Sequence, residues 1–343
     1  MTNAKNGKPD DGTLLEIDDL TVAFGDGAGS VRAVENVTLS VAPGEIYALV
    51  GESGCGKSTL AYSMLQIVPQ PGRVVGGDIR FRGRGMVAMS KRELNALRGA
   101  ELAMVFQGAM NAFNPVVTIG AQVDHILQAH PEVFPDLKQG RQHFEHLLEL
   151  VQLPPKRIWK AYESQLSGGM KQRVAIAVAL LLKPSVVILD EPTTALDVLN
   201  QRLVIDILKD LHRDLGVTIV FVTHDLAVVA EVATRVAVMY AGRLVETGTV
   251  EEIFKAERRH PYVEALINAI PSVLDAGLTV RPIGGSVPNL ADLPAGCRFA
   301  PRCRLAEDLC RRTEPPLLGD GGGHLVACHV VNRDVVPMEV SKA

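Results

Sequence analysis

Long hydrophobic runs are missing from this 343-residue chain. The longest, Val174 to Leu182, stops at Lys183 and Pro184, far short of the ~20 residues a membrane-crossing helix needs. The chain is therefore not expected to cross a bilayer by itself. An excess of one charge is missing too: 35 Lys and Arg face 39 Asp and Glu, a net charge of -4. No global positive field exists to gather a phosphodiester backbone, so nucleic acid is not an expected partner. Met1 to Gly12 is polar and has no apolar signal-peptide core, which points to the cytoplasm rather than export. No internal repeat is visible, and the only low-complexity tract is Gly321 to Gly323. Cysteines number five: Cys55 stands alone, whereas Cys297, Cys303, Cys310 and Cys328 crowd into the last fifth. In a reducing compartment such a group reads as metal ligation before disulfides.

What is present describes an ordinary globular protein. Hydrophobic residues make up 47% and charged residues 22%, and the length suggests about two domains. Leu14 to Ala48 alternates apolar and polar residues in short runs broken by Gly25 to Gly29 and by Pro43-Gly44, the pattern of antiparallel strands and turns. Ile46 to Val50 then leads through a Gly-rich loop into a helical pattern over Ser58 to Ile67. Val186 to Leu189 and Val217 to Val222 are continuous β-branched runs, as in strands buried on both faces of a parallel sheet. The main body is therefore α/β. Between about 111 and 165 helical patterns dominate, notably Arg141 to Gln152, which predicts a helical insertion. From about His260 the prolines Pro271, Pro282, Pro288, Pro294 and Pro301 interrupt every candidate element. We expect an α/β domain over 13–258 and a separate extension over 259–343.

Gly51-Glu52-Ser53-Gly54-Cys55-Gly56-Lys57-Ser58 fits the phosphate-loop pattern G-x-x-x-x-G-K-[ST], at the strand-to-helix junction the pattern requires. Gly51, Gly54 and Gly56 let backbone N–H groups curl round phosphate oxygens, and the helix beginning near Lys57 aims its positive end at them. Lys57 supplies a point charge for the β- and γ-phosphates, and the Ser58 hydroxyl suits Mg²⁺. Val186-Val187-Ile188-Leu189-Asp190-Glu191 delivers two carboxylates at the C-terminal edge of a strand, where parallel sheets place their ligands. Asp190 would serve the Mg²⁺ shell, and Glu191 would polarise the water that attacks the γ-phosphate. Alone, the pair could equally be an acidic strand end capping a helix at Pro192.

Three further segments narrow the class. Leu166-Ser167-Gly168-Gly169-Met170-Lys171-Gln172-Arg173, about twenty residues before the acidic strand, resembles the signature motif of ATP-binding cassette (ABC) proteins; Ser167 also reads as a helix N-cap. Gln107 in Met104-Val105-Phe106-Gln107 is similar to the family's Q-loop glutamine, and His224 in Val222-Thr223-His224-Asp225 to its switch histidine. Thr194-Ala195-Leu196-Asp197 resembles the loop that touches the opposite protomer. The resemblance implies a P-loop ABC nucleotide-binding domain with a RecA-like parallel core, an antiparallel β subdomain and a helical subdomain. It implies that Gly51, Ser53, Gly54, Cys55, Gly56, Lys57, Ser58 and Thr59 hold ATP. Ser58, Gln107 and Asp190 serve Mg²⁺, and Glu191, His224, Gln107 and Lys57 act in hydrolysis. Ser167, Gly168, Gly169 and Asp197 meet the nucleotide of a second cassette. Phe24 matches the position where an aromatic stacks on adenine, with core packing as the other reading.

Asn111-Ala112-Phe113-Asn114-Pro115, His260-Pro261-Tyr262-Val263-Glu264-Ala265-Leu266 and Cys297-Arg298-Phe299-Ala300-Pro301-Arg302-Cys303 resemble the oligopeptide/dipeptide branch of importer ATPases. That resemblance implies a second, paralogous ATPase subunit in a heterodimer, two transmembrane permease subunits, and an extracytoplasmic substrate-binding protein. It places the chain peripherally on the cytoplasmic face of the membrane. Nickel or oligosaccharide importers, and soluble ABC ATPases of DNA repair or translation, are the alternatives. The chain departs from the family at Gly108-Ala109, where an acidic residue and a proline are usual, and at Lys171, where arginine is usual. The spacing C-x5-C-x6-C-x17-C chooses no metal. Four thiolates would suit a [4Fe–4S] cluster or structural Zn²⁺, resemblance to cluster-bearing importer subunits favours iron–sulfur, and four plain thiols are the remaining reading.

Overall fold

The computed structural model describes residues 12–109, 112–270, 283–319 and 323–334. Asn111, Pro271, Pro282, Gly321 and Gly322, together with residues 1–11, lie outside the described residues. The fold is mixed α/β, and its contacts divide it into two compact units.

Among the described residues, the first unit takes in 12–42, 47–88 and those from 223 onward. Its antiparallel sheet is centred on Leu15–Phe24, which pairs with Val31–Val41 on one side and Gly72–Phe81 on the other. Leu15, Ile17, Leu20 and Val22 lie in the core with no exposed surface. Burial alternates over the start of the strand as in a one-faced sheet; the register shifts between Ile17 and Leu20, and Leu20 to Ala23 are buried in succession. In the same unit, Tyr47–Val50 runs parallel to Arg235–Val238. The strand Arg235–Tyr240 also pairs antiparallel with Arg243–Thr249, which in turn carries the short strand Leu325–Val326. Ala48, Val50, Val236, Val238, Tyr240, Tyr262, Val263 and Phe299 form one apolar cluster. Residues from beyond position 260 are thus part of this unit's core.

The second unit holds residues 43–46 and 89–222. Leu102–Val105, Val186–Asp190 and Thr218–Val222 form parallel ladders in register, and Val186–Asp190 is buried throughout. Helices cover the insertion as its periodicity predicts: Ile119–Ala129, Leu137–Leu150 and Pro155–Lys160. Each of the two longer ones starts on a side-chain cap, Thr118 and Asp136, which satisfies an N–H group that the helix cannot pair internally. Among the described residues no helix is long and apolar enough to cross a membrane.

Candidate functional site

The phosphate loop leaves the strand Ile46–Val50 and enters the helix Lys57–Met64. Two of its glycines are required sterically. A Cβ on Gly51 would lie 2.2 Å from the Met239 carbonyl oxygen, and one on Gly56 the same distance from that of Ala33. Gly56 also sits at φ +104 as the helix N-cap, a conformation only glycine takes without strain. Ser53 and Gly54 are exposed, whereas Cys55 and Lys57 are buried. The Lys57 Nζ donates to the Gly51 carbonyl at 2.7 Å and to the Glu52 carbonyl at 3.0 Å, so the cation is stowed on the loop's own backbone. Burial pushes the Cys55 thiol up, outweighing the neighbouring Lys57, and the side chain stays a neutral filler beneath the loop. A backbone cradle at a helix N-terminus, with a lysine inside it, is chemically fit for a polyphosphate.

The second unit carries the carboxylates. Asp190 ends its strand with no exposed surface. Glu191 follows at φ +49, in the left-handed region that costs a non-glycine residue. Its N–H donates to the Val222 carbonyl at 2.9 Å. The Glu191 Oε2 accepts from the Gln107 Nε2 at 3.0 Å and from the Thr194 hydroxyl at 2.9 Å. Two residues singled out from sequence, Gln107 and Glu191, therefore meet. Thr194 was not marked as a partner of Glu191, although its place three residues further along the same turn is the signal. Two hydrogen bonds orient the carboxylate while leaving it acceptor capacity for a water. Ser58 and Asp190 are hard oxygen donors of the kind Mg²⁺ takes, so the donor chemistry fits that ion.

Ser167 caps the helix Gly168–Leu180 by accepting from the Met170 N–H, as its position predicted. Ser167 and Gly168 are exposed, but Gly169 is buried; a Cβ there would lie 2.4 Å from the Asn200 side-chain oxygen. Lys171, in the place of the usual arginine, pairs with Glu163 at 2.7 Å. Asp197 caps the helix Val198–Leu215 through the Asn200 N–H at 2.9 Å. The Asn200 backbone and side chain hold its carboxyl below the usual range, and Val198 and Leu199 beside it are strongly exposed. His224 is exposed, and it precedes Asp225, whose carboxylate caps the next helix at the Ala227 N–H. Phe24 is half-buried, with its ring edge over Gly72, its cross-strand partner.

The metal reading of the tail is corrected. Cys297, Cys303, Cys310 and Cys328 are all free thiols. Among the described residues no group of three or more His, Cys, Asp or Glu is placed to hold a metal ion. Burial raises the Cys303 and Cys328 thiols and pushes Cys297 up to about 11, which favours the thiol over the thiolate a cluster or Zn²⁺ requires. Cys310 and Cys328 are buried, and Cys297 and Cys303 pack against the apolar cluster. They act as small hydrophobes. The expected [4Fe–4S] cluster and its zinc alternative do not stand.

Residues 34–194 match the family described as ABC transporter, and residues 245–310 match the oligopeptide/dipeptide transporter C-terminal region. The dipeptide transport ATP-binding protein DppD of Escherichia coli is 41% identical over 317 residues, covering 92% of this chain and 96% of the relative. The oligopeptide transport ATP-binding protein OppD of Bacillus subtilis is 40% identical over 335 residues, 96% of this chain and 92% of the relative. Neither name carries an iron–sulfur function. Among solved structures, a dimeric ATP-binding cassette in a post-hydrolysis state with ADP and Pi superposes with a TM-score of 0.60 at 28% identity, covering 69% of this chain and 99% of the other. Phosphate loop, oriented carboxylate, capped signature helix and near-full-length similarity converge: this chain belongs to the ABC transporter family, among its ATP-hydrolysing, oligopeptide/dipeptide-type ATP-binding subunits.

Proposed function

We propose that this chain powers the import of di- or oligopeptides as the nucleotide-binding subunit of an ABC transporter. It docks on the cytoplasmic face of two membrane permease subunits, is served by an extracytoplasmic substrate-binding protein, and pairs with a second, paralogous ATPase subunit. The observation that carries the peptide reading is the match of residues 245–310, beyond the 34–194 stretch that matches ABC transporters in general, to the oligopeptide/dipeptide region.

ATP enters with its β- and γ-phosphates against the N–H groups of residues 53–58, and Lys57 swings its ammonium from the Gly51 and Glu52 carbonyls onto phosphate oxygens. The Ser58 hydroxyl, the Asp190 carboxylate and the Gln107 side chain are the groups that would hold Mg²⁺, which when bound would neutralise charge on the phosphate oxygens. Glu191, oriented by Gln107 and Thr194, accepts a hydrogen bond from the attacking water and aligns it in line with the γ-phosphate. His224 stabilises charge on the γ-phosphate. The exposed Ser167-Gly168 helix start and Asp197 serve the nucleotide of the partner cassette. Phe24 contributes packing over Gly72, and adenine stacking on its half-buried ring is the role its position suggests.

The test is uptake by vesicles containing the assembled transporter. Labelled dipeptide should accumulate with ATP, and Glu191→Gln should retain nucleotide binding while turnover falls about 10²–10⁴-fold. Accumulation of nickel or an oligosaccharide instead of peptide would replace the substrate; undiminished hydrolysis in Glu191→Gln would remove Glu191 from the mechanism.

A further inference from the structure

Glu52, the second residue of the phosphate loop, has all three of its polar handles occupied. Its carbonyl accepts from the Lys57 Nζ at 3.0 Å and from the Cys55 N–H at 3.3 Å. Its N–H donates to the Tyr262 hydroxyl at 2.9 Å. Its carboxylate receives a bidentate grip from Arg302, Nη1 to Oε2 at 2.7 Å and Nη2 to Oε1 at 3.1 Å. Two of these three holds come from residues more than two hundred positions further along the chain.

Both holding side chains are fixed in their turn. The Arg302 side chain is 4% exposed. Its Nε donates to the Gly284 carbonyl at 2.8 Å, its Nη1 also reaches the Tyr240 hydroxyl at 3.2 Å, and its guanidinium lies over the Tyr240 and Phe299 rings. Tyr262 packs at a tilt against Tyr240 and Phe299 with ring centroids 4.7 and 5.4 Å away. It rides the first turn of the helix Pro261–Asn268, which His260 caps by accepting the Tyr262 N–H. Such pre-ordered donors and acceptors impose geometry on the group they hold, because their own freedom has already been lost.

We infer that Tyr262 and Arg302 are positioning residues for nucleotide binding: the C-terminal segment is a brace that holds the phosphate loop in its receiving shape through Glu52. The inference rests on the reading that this loop binds ATP. Without the brace, the loop must be ordered by the incoming phosphates, so part of their binding free energy is spent on ordering. The loss falls on affinity. The same geometry ties the His-Pro-Tyr segment and the Arg302 turn to the phosphate loop.

The test titrates the full-length chain with a fluorescent ATP analogue and reads dissociation constant and stoichiometry separately. Tyr262→Phe keeps the aromatic cluster and removes only the acceptor; Arg302→Gln removes the bidentate grip. Each should weaken binding about 2- to 10-fold at unchanged stoichiometry. Arg302→Lys should fall between wild type and Arg302→Gln, because it keeps the charge and loses the fork. Glu52→Gln should add little in the Arg302→Gln background. A role confined to general stability would lower the stoichiometry or melting temperature and leave the dissociation constant alone; that result, or unchanged binding in folded Tyr262→Phe and Arg302→Gln, overturns the brace. A wild-type chain that binds no nucleotide would overturn the ATP reading itself, and the inference with it.

Discussion

Lowering the pH from 7.5 to 5.5 should weaken this protein through His260. The ring is 1% exposed. Its Nδ1 accepts the Tyr262 N–H at 3.1 Å, and it lies 5.7 Å from the Phe299 ring. Burial pushes the imidazole from 6.5 down to about 3. In the folded chain it therefore stays neutral across a range in which the unfolded chain binds a proton. Stability must rise with pH between about 3 and 6.5 and level off above. Integrated from pH 7.5 to 5.5, the loss is about 1.4 kcal/mol, equivalent to about 2–4 °C in melting temperature. Glu246, whose carboxylate accepts the His260 backbone N–H at 2.7 Å, works the other way. Burial raises its carboxyl despite His324 and the neighbouring N–H, so its contribution declines as pH rises through its folded value. His260→Asn separates the two, because its amide oxygen can still cap the helix but does not titrate. By thermal melts, the advantage of wild type over His260→Asn should shrink by that 2–4 °C between pH 7.5 and 5.5. An advantage independent of pH would refute the assignment of a buried neutral imidazole.

Gly56→Ala places a Cβ against the Ala33 carbonyl at a backbone angle of +104, so a strain of about 1–3 kcal/mol should distort the loop; isothermal titration should find nucleotide binding lost, and retention of native affinity would contradict the steric requirement. Ser167→Arg removes the cap on the Met170 N–H, costing about 1 kcal/mol, and adds bulk at the exposed helix start. The isolated chain should still bind nucleotide normally while ATPase activity of the assembled transporter collapses, and full activity in the assembly would detach this helix from the partner's nucleotide.

The motifs that were legible in the sequence are those whose geometry is local. The phosphate loop needs three glycines and a lysine within eight residues, Ser167 and Asp197 cap the helices that start immediately after them, and β-branched runs such as Val186–Asp190 become buried strands. The cysteine group shows the limit. Proximity along the chain suggested a cluster, yet burial and placement make these thiols core filler. What decides a metal site is convergence in three dimensions and stabilisation of the thiolate, and linear spacing encodes neither unless the ligands share one short turn.

Sequence by itself therefore determined the nucleotide chemistry, the parallel α/β framework and the peptide-transporter branch. Tertiary structure decided that Gln107 and Thr194 share Glu191, that Gly51 and Gly56 must yield to the carbonyls of Met239 and Ala33, and that Tyr262 and Arg302 reach back to Glu52 across 210 and 250 positions. The physical reason is range. Backbone conformation and capping are settled within a few residues, whereas a hydrogen bond between distant segments exists only where the folded core carries both of its ends to the same place.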